Sequence, residues 1–220
     1  MYMSAIKAML GVRRSTPNLV CLLEAGFPTI VNRIQMAQKR LLKTLINERQ
    51  GMVDDPFYFV WKLCEANKTN GYRYLQSILN KDINPTEDIK SLIMSKTGSK
   101  FITYRELINP SLVSPKLYTD SELNILDHER VHYTRLRTSS HNLAIEMGRW
   151  SRIPRDERWC KCGPSVQSEQ HVLLECPLTR HLRDESVGVL SFTSLNDLFN
   201  SDSSCMIKYV SKCLKIFENI

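Results

Sequence analysis

Pro28-Thr29-Ile30-Val31-Asn32-Arg33-Ile34-Gln35-Met36-Ala37-Gln38-Lys39-Arg40-Leu41-Leu42-Lys43-Thr44-Leu45-Ile46-Asn47 carries Ile30, Ile34, Ala37, Leu41 and Leu45 at helical spacing. Arg33, Lys39, Arg40 and Lys43 fall largely elsewhere on the same cylinder, so the period predicts an amphipathic helix with a basic outer surface. Outward from it, helix starts recur in one form: a capping side chain followed by a proline, whose missing N–H costs nothing in a first turn. Thr16-Pro17, Asp55-Pro56 and Asn84-Pro85 all have that form. Asn84 with Glu87, and Thr119 with Glu122, also have capping-box spacing. Gly26 reads as the stop of the helix begun at Pro17.

Further helices are expected near 56–67, 71–80, 86–96, 120–135, 168–175, 178–186 and 203–217, and only Phe101 to Tyr104 hints at strand alternation. The expected fold class is therefore all-α, an irregular helical bundle in two halves with a small C-terminal module. The proline- and serine-punctuated stretch from Asn109-Pro110 to Ser114-Pro115 places the division near residue 115, giving regions 1–115 and 116–220.

The chain has 220 residues, of which 42% are hydrophobic, enough to bury a core. A formal net charge of +7 favours polyanionic partners. The opening segment Met1 to Val12 lacks a basic leader, and no stretch approaches the roughly 18 uncharged apolar residues of a membrane span, so an unsecreted, intracellular protein of nucleus or cytoplasm without membrane contact is expected. Seven cysteines are an odd number in a chain too large to need disulfides. Cys21, Cys64, Cys205 and Cys213 lie in apolar, helix-like surroundings and read as small hydrophobes.

The other three cysteines crowd together in Cys160-Lys161-Cys162-Gly163-Pro164-Ser165-Val166-Gln167-Ser168-Glu169-Gln170-His171-Val172-Leu173-Leu174-Glu175-Cys176-Pro177. Three thiolates and an imidazole suit one tetrahedral zinc ion, with Cys160, Cys162, His171 and Cys176 as ligands and His181 as an alternative to His171. Cys-x-Cys is a tighter bite than Cys-x-x-Cys, and Gly163 leaves the backbone unobstructed as it turns. His171 and Cys176 are five apart, off one face of an α-helix, so the helix is expected to end or distort at Cys176, before Pro177. A four-ligand site leaves no position for water or substrate, which makes the ion structural.

Arg135-Leu136-Arg137-Thr138, Trp159-Cys160-Lys161-Cys162-Gly163 and Gln167-Ser168-Glu169-Gln170-His171-Val172-Leu173-Leu174-Glu175-Cys176-Pro177 resemble the region that follows the polymerase core in non-LTR retrotransposon reverse transcriptases. The resemblance extends to Met9-Leu10-Gly11-Val12-Arg13-Arg14-Ser15-Thr16-Pro17 and Leu23-Glu24-Ala25-Gly26-Phe27-Pro28. It implies the C-terminal part of an RNA-directed DNA polymerase from a transposable element. Residues 1–115 would lie on its thumb or connector side, and 116–220 would hold a cysteine-histidine knuckle that assists template or target binding. The strand-built palm with paired catalytic aspartates is missing. Asp54-Asp55 matches that pair only superficially, because Pro56 makes it a helix cap.

Next to the knuckle lie Arg130, Arg135, Arg137, Arg149, Arg152, Arg155, Arg158 and Lys161, interleaved with Tyr133, Trp150 and Trp159 and with acids at 129, 146, 156 and 157. Guanidinium groups fork onto phosphates and aromatic rings stack on unpaired bases, so RNA or DNA backbone contact is expected here. The tryptophans are equally consistent with core anchors. His128, His132 and His141 read as packing or surface residues, and no nucleophile elbow, phosphate loop or zinc-protease pair is present. The expectation is a nucleic-acid-binding accessory region with no chemistry of its own, partnered by nucleic acid and by the rest of a reverse transcriptase. A zinc-stabilised helical protein-interaction module and a decayed retroelement fragment remain the alternatives.

Overall fold

A computed structural model of the chain describes residues 1–47, 55–118, 120, 122–186, 193–200 and 203–218. Asp54 and Thr119, which figure in the expectations for caps, lie outside them. The described chain is mostly helical, with one two-stranded antiparallel sheet, as an all-α class requires. Its helices are α1 Tyr2–Leu10, α2 Asn18–Glu24, α3 Ile30–Asn47, α4 Pro56–Ala66, α5 Asn70–Asn80, α6 Pro85–Met94 and α7 Ser99–Thr103. They continue as α8 Asp127–Arg137, α9 Ala144–Trp150, α10 Arg180–Ser186, α11 Leu195–Asn200 and α12 Ser204–Glu218. Among the described residues no helix is long and apolar enough to cross a membrane.

Two of the expected caps close as the proline rule requires. The Asp55 carboxylate accepts from the N–H groups of Phe57 at 2.9 Å and Tyr58 at 3.0 Å, and Asn84 Oδ1 accepts from Glu87 N–H at 3.2 Å. Thr16 does not cap: α2 starts beside it, but its hydroxyl is buried without a hydrogen bond among the described residues. Gly26 stops α2 at φ +66°, and Gly11 stops α1 at φ +67°, the left-handed region that favours glycine. The helix expected over 120–135 starts later, at Asp127, where the Glu129 carboxylate reaches back to accept from Leu126 N–H at 2.9 Å. Phe101 to Tyr104 is not a strand. It belongs to α7 and to a π-turn, Tyr104–Ile108, that turns Tyr104 and Ile108 into the core.

The chain forms two compact units, Pro28–Ile89 and a second made of Met1–Phe27 with Lys90–Ile220. The stretch 109–115 therefore lies inside the second unit and does not divide the chain. Side-chain bonds pin it there: Asn109 Nδ2 donates to Val113 O and Tyr104 Oη, both at 2.9 Å, and Ser114 Oγ donates to Leu23 O at 2.6 Å.

In Pro28–Ile89, α3, α4 and α5 pack on one another around Leu42, Trp61 and Ile78. The apolar stripe read from the sequence is only partly used, because Ile30, Ile34 and Leu41 are about half exposed. Between the helices runs a groove of about 520 Å³ lined by Leu41, Leu42, Leu45, Phe57, Trp61 and Leu75.

The larger unit is built on α8 against α12, with α1 on α2 and α8. Leu10, Val20, Cys21, Tyr133, Leu136, Val210 and Cys213 are buried there. Cys21 and Cys213 thus pack as hydrophobes, Cys64 is half-buried, and Cys205 is exposed, contrary to its apolar surroundings in sequence. Glu24 on α2 and Arg137 on α8 pair at 2.9 Å inside this core, both essentially without solvent exposure. Tyr104 Oη donates to Glu24 at 2.6 Å, and Arg137 lies against the rings of Tyr133 and Phe199. Removing one partner strands a charge out of water, so Glu24→Gln is expected to cost about 3–5 kcal/mol of stability. Urea unfolding checks this; a midpoint unchanged from wild type would contradict it.

Candidate metal centre

Trp159–Cys160 and Gly163–Val166 form a short hairpin in which Cys160 pairs with Gly163, so Lys161 and Cys162 make the turn. The turn resolves the tight Cys-x-Cys bite, because reversing the chain swings both sulfurs to one side. Gly163 is needed for its backbone: φ is +144°, strained for any other residue, whereas an added Cβ would meet nothing within 4 Å. The expectation that glycine clears space is replaced by a conformational one.

The chain then enters a π-turn, His171–Glu175. Cys176 N–H donates to His171 O at 2.7 Å, five residues back, and Cys176 itself is extended at φ −59°, ψ 129° before Pro177. An i→i+5 bond brings residue 176 over residue 171, which an α-turn would not do. The distortion expected from the spacing is thus how the two side chains converge. Ser168 Oγ accepts from His171 N–H at 3.1 Å at the start of this turn.

The ligand atoms of Cys160, Cys162, His171 and Cys176 all lie within 4.8 Å of one another. Cys160 and Cys176 sulfurs are 3.8 Å apart, and Cys162 Sγ is 3.2 Å from His171 Nε2. A tetrahedron with zinc–sulfur bonds of about 2.3 Å has sulfur edges of roughly 3.8 Å, so donor set and spacing both fit one zinc ion. His171 Nδ1 faces the Glu175 carboxylate at 3.6 Å, leaving Nε2 for the metal. His181 is exposed and outside this cluster. Burial, then the neighbouring Cys160 and Cys176 thiols, push the Cys162 thiol up to about 12, and burial also raises Cys176. Three thiolates this close repel without a cation, and a bound divalent ion reverses that by deprotonating them.

The centre is anchored on buried neighbours. Val172 and Leu173 enter the core, and Tyr209 Oη of α12 donates to Leu173 O. Thr179 Oγ1 donates to Val172 O at 2.7 Å, and Arg183 Nη2 to Cys176 O at 2.6 Å. On the hairpin side, Gln167 N–H donates to Arg158 O at 2.8 Å while its Oε1 accepts from Ala144 N–H at 2.6 Å. His141 Nδ1 accepts from Leu143 N–H, so its Nε2 carries the proton and donates to Glu169 at 3.0 Å. Sequence reading missed Gln167, Glu169 and the role of His141, because their partners are local in space and distant in sequence.

The eight basic residues singled out beside the centre separate by commitment. Arg137 is removed from the set, since its guanidinium is buried on Glu24 and cannot reach a phosphate. Arg130 donates to Asp127 and to Met9 O, both at 3.3 Å, Arg135 Nε donates to Gly11 O at 2.8 Å, and Arg149 pairs with Glu146 at 2.5 Å. Arg158 is half-buried and tied to the carbonyls of Ile145 and Ile153. Arg152, Arg155 and Lys161 are exposed. Trp150 and Trp159 are 56% and 62% exposed, which places both at the surface, whereas Tyr133 is in the core. No family model, curated protein or solved structure matches this chain.

Elemental analysis of chain purified without added metal is expected to give one zinc per chain, and none in Cys176→Ser. Stripping the ion should expose Trp159 to Cys176 to hydrogen exchange while Pro28–Ile89 keeps its protection. A folded wild type without zinc would return the cysteines to simple packing.

Proposed function

We propose that this chain is a zinc-containing, nucleic-acid-binding accessory region of a retroelement reverse transcriptase, without the polymerase palm and with no chemistry of its own. The observation that carries it is the junction of a four-ligand cluster with an exposed basic and aromatic segment leading into it. Cys160, Cys162, His171 and Cys176 converge, and Trp150, Arg152, Arg155, Trp159 and Lys161 stand exposed just before or within the same hairpin.

The ion's part is structural. With four protein ligands it fixes the hairpin to the π-turn and so holds Trp159 and Lys161 at a defined place on the surface. Trp159 is held further by its indole N–H, which donates to Asp156 O at 2.6 Å and leaves a ring face free for stacking. Arg152, Arg155 and Lys161 supply phosphate contacts that carry no sequence information. RNA or DNA, with the remainder of a reverse transcriptase, are the partners this function implies.

A second function, a zinc-stabilised helical module that binds protein, is favoured by one observation on the other unit: the apolar groove and half-exposed Ile34, Leu41, Phe57 and Val60 of Pro28–Ile89.

Fluorescence titration of short single-stranded RNA and DNA against the zinc-loaded chain separates them. Three phosphate contacts predict that affinity falls with added salt with a log–log slope of about −2. Trp159→Ala should lose roughly 1–3 kcal/mol of binding through the lost stack. Affinity flat between low and high salt contradicts the phosphate mode, and no binding at low salt leaves the protein-interaction module.

A further inference from the structure

Behind the metal centre, in the same unit, lies a cavity of about 540 Å³ that the zinc site does not use. Its lining brings together Arg149, Arg155 and Arg158 with the hydroxyls of Ser99, Thr103 and Ser168. Ile102, Leu107, Ile145 and Leu195 add apolar wall. Glu169 is the acid on the lining, and its carboxylate is already held by His141 Nε2. Three guanidinium groups thus face one carboxylate. Just outside, Lys100 and Arg149 share the Glu146 carboxylate at 2.8 and 2.5 Å, so the surplus of two positive charges persists when that layer is included.

Arg158 is a fixed cation. Its Nε and Nη2 donate to Ile153 O at 3.0 and 2.7 Å, and its Nη1 to Ile145 O at 2.8 Å. These acceptors are neutral, so the guanidinium is oriented without being cancelled, and among the described residues two of its five donor protons remain unused. Gly148 makes this possible: a Cβ there would stand 2.7 Å from Arg158 Cγ, Cδ and Nε, so only glycine lets the arginine lie across α9. Ser168 Oγ accepts from His171 N–H at 3.1 Å, which leaves its own proton to donate. Arg155 is exposed at the mouth, and among the described residues its guanidinium makes neither a hydrogen bond nor an ion pair.

We propose that this cavity is a phosphate-binding site, in which Arg155 closes on the anion from the mouth, Arg158 meets it from a fixed position, and Ser168 donates a hydroxyl proton. Forked guanidinium donors match a tetrahedral oxyanion, and partly apolar walls strengthen charge-assisted hydrogen bonds beyond their value in water. The volume falls in the range of small-ligand pockets, so a phosphate with an attached nucleoside fits as well as a phosphate alone. Only the source of the phosphate, a nucleic-acid end or a free ester, rests on the function proposed above.

The test uses the full zinc-loaded chain and inorganic phosphate, titrated calorimetrically at ionic strength held constant with chloride. Saturable binding at one site is expected, weakened roughly tenfold or more in Arg155→Ala, which removes a surface side chain without a hydrogen-bond or ion-pair partner among the described residues. Gly148→Ala keeps every charge but displaces Arg158, and should weaken phosphate comparably with circular dichroism unchanged. Absence of saturable phosphate binding, or equal affinity in wild type and Arg155→Ala, overturns the site. Short oligonucleotides with and without a 5′-phosphate then identify the source. A preference for the phosphorylated end that vanishes in Arg155→Ala supports the site and places a strand terminus in it. Phosphate binding with no oligonucleotide binding supports the site while the nucleic-acid function fails. Oligonucleotide binding indifferent to Arg155→Ala, with no phosphate binding, overturns the cavity alone.

Discussion

Glu24 and Arg137 meet where water cannot reach either of them, and the larger unit is arranged to keep them together. An ion pair taken out of water recovers its desolvation cost only if its remaining hydrogen-bonding capacity is filled. Tyr104 Oη and the three guanidinium–carboxylate bonds do much of that, and Asn109 in turn donates to Tyr104. The network therefore joins α2, the π-turn after α7, and α8 across more than a hundred residues of chain. Replacing it with apolar side chains of similar volume could be neutral for stability. Its consequence here is for register: α2 meets α8 in one rotational setting, because any other leaves a charge stranded.

The candidate metal centre lies in the same unit and, with an ion bound, would do for its own segment what a core cannot. Trp159 to Val166 is a hairpin of two very short strands, too small to be stable in isolation, and its Trp159, Pro164 and Ser165 face water. Val172, Leu173 and Cys176 are buried, so the π-turn has hydrophobic support that the hairpin lacks. Closing sulfur and nitrogen ligands from both halves around one ion would transfer order from the supported half to the unsupported one. Charge balance points the same way, since crowded thiols with elevated pKa values are at ease as thiolates only beside a cation.

Local chemistry was readable from sequence wherever a few adjacent residues decide the outcome. Asp55-Pro56 and Asn84-Pro85 start helices, the ligand set converges, and the five-residue gap from His171 to Cys176 demands a distorted turn, which the structure realises with an i→i+5 bond. Features set by distant partners were not readable. Arg135-Leu136-Arg137 does not reveal that one arginine is half-exposed on α8 while the other is buried, because the deciding residue, Glu24, lies far back in the chain. Phe101 to Tyr104 alternates like a strand, yet Tyr104 turns inward to meet Glu24, and a π-turn accommodates it. Prolines 110 and 115 look like a boundary, but Asn109 and Ser114 bind the stretch into the unit through side chains that propensity does not weigh.

Placement changes what the basic composition means. A net charge of +7 suggests a broad electrostatic attraction, but most cations beside the metal centre are consumed by carboxylates or carbonyls. Arg152, Arg155 and Lys161 are left on the surface, with exposed Asp156 and Glu157 between them. Such a patch is too sparse to track a duplex by charge alone, whereas two exposed indoles nearby add stacking that needs unpaired bases. For the function proposed, the physical consequence is a bias toward single strands, with charge steering the approach and aromatic faces contributing most of what holds. Arg158 completes the contrast: tied to neutral carbonyls, it keeps its charge, and its place across Gly148 sets it on the wall of a cavity, where one anion meets it at close range.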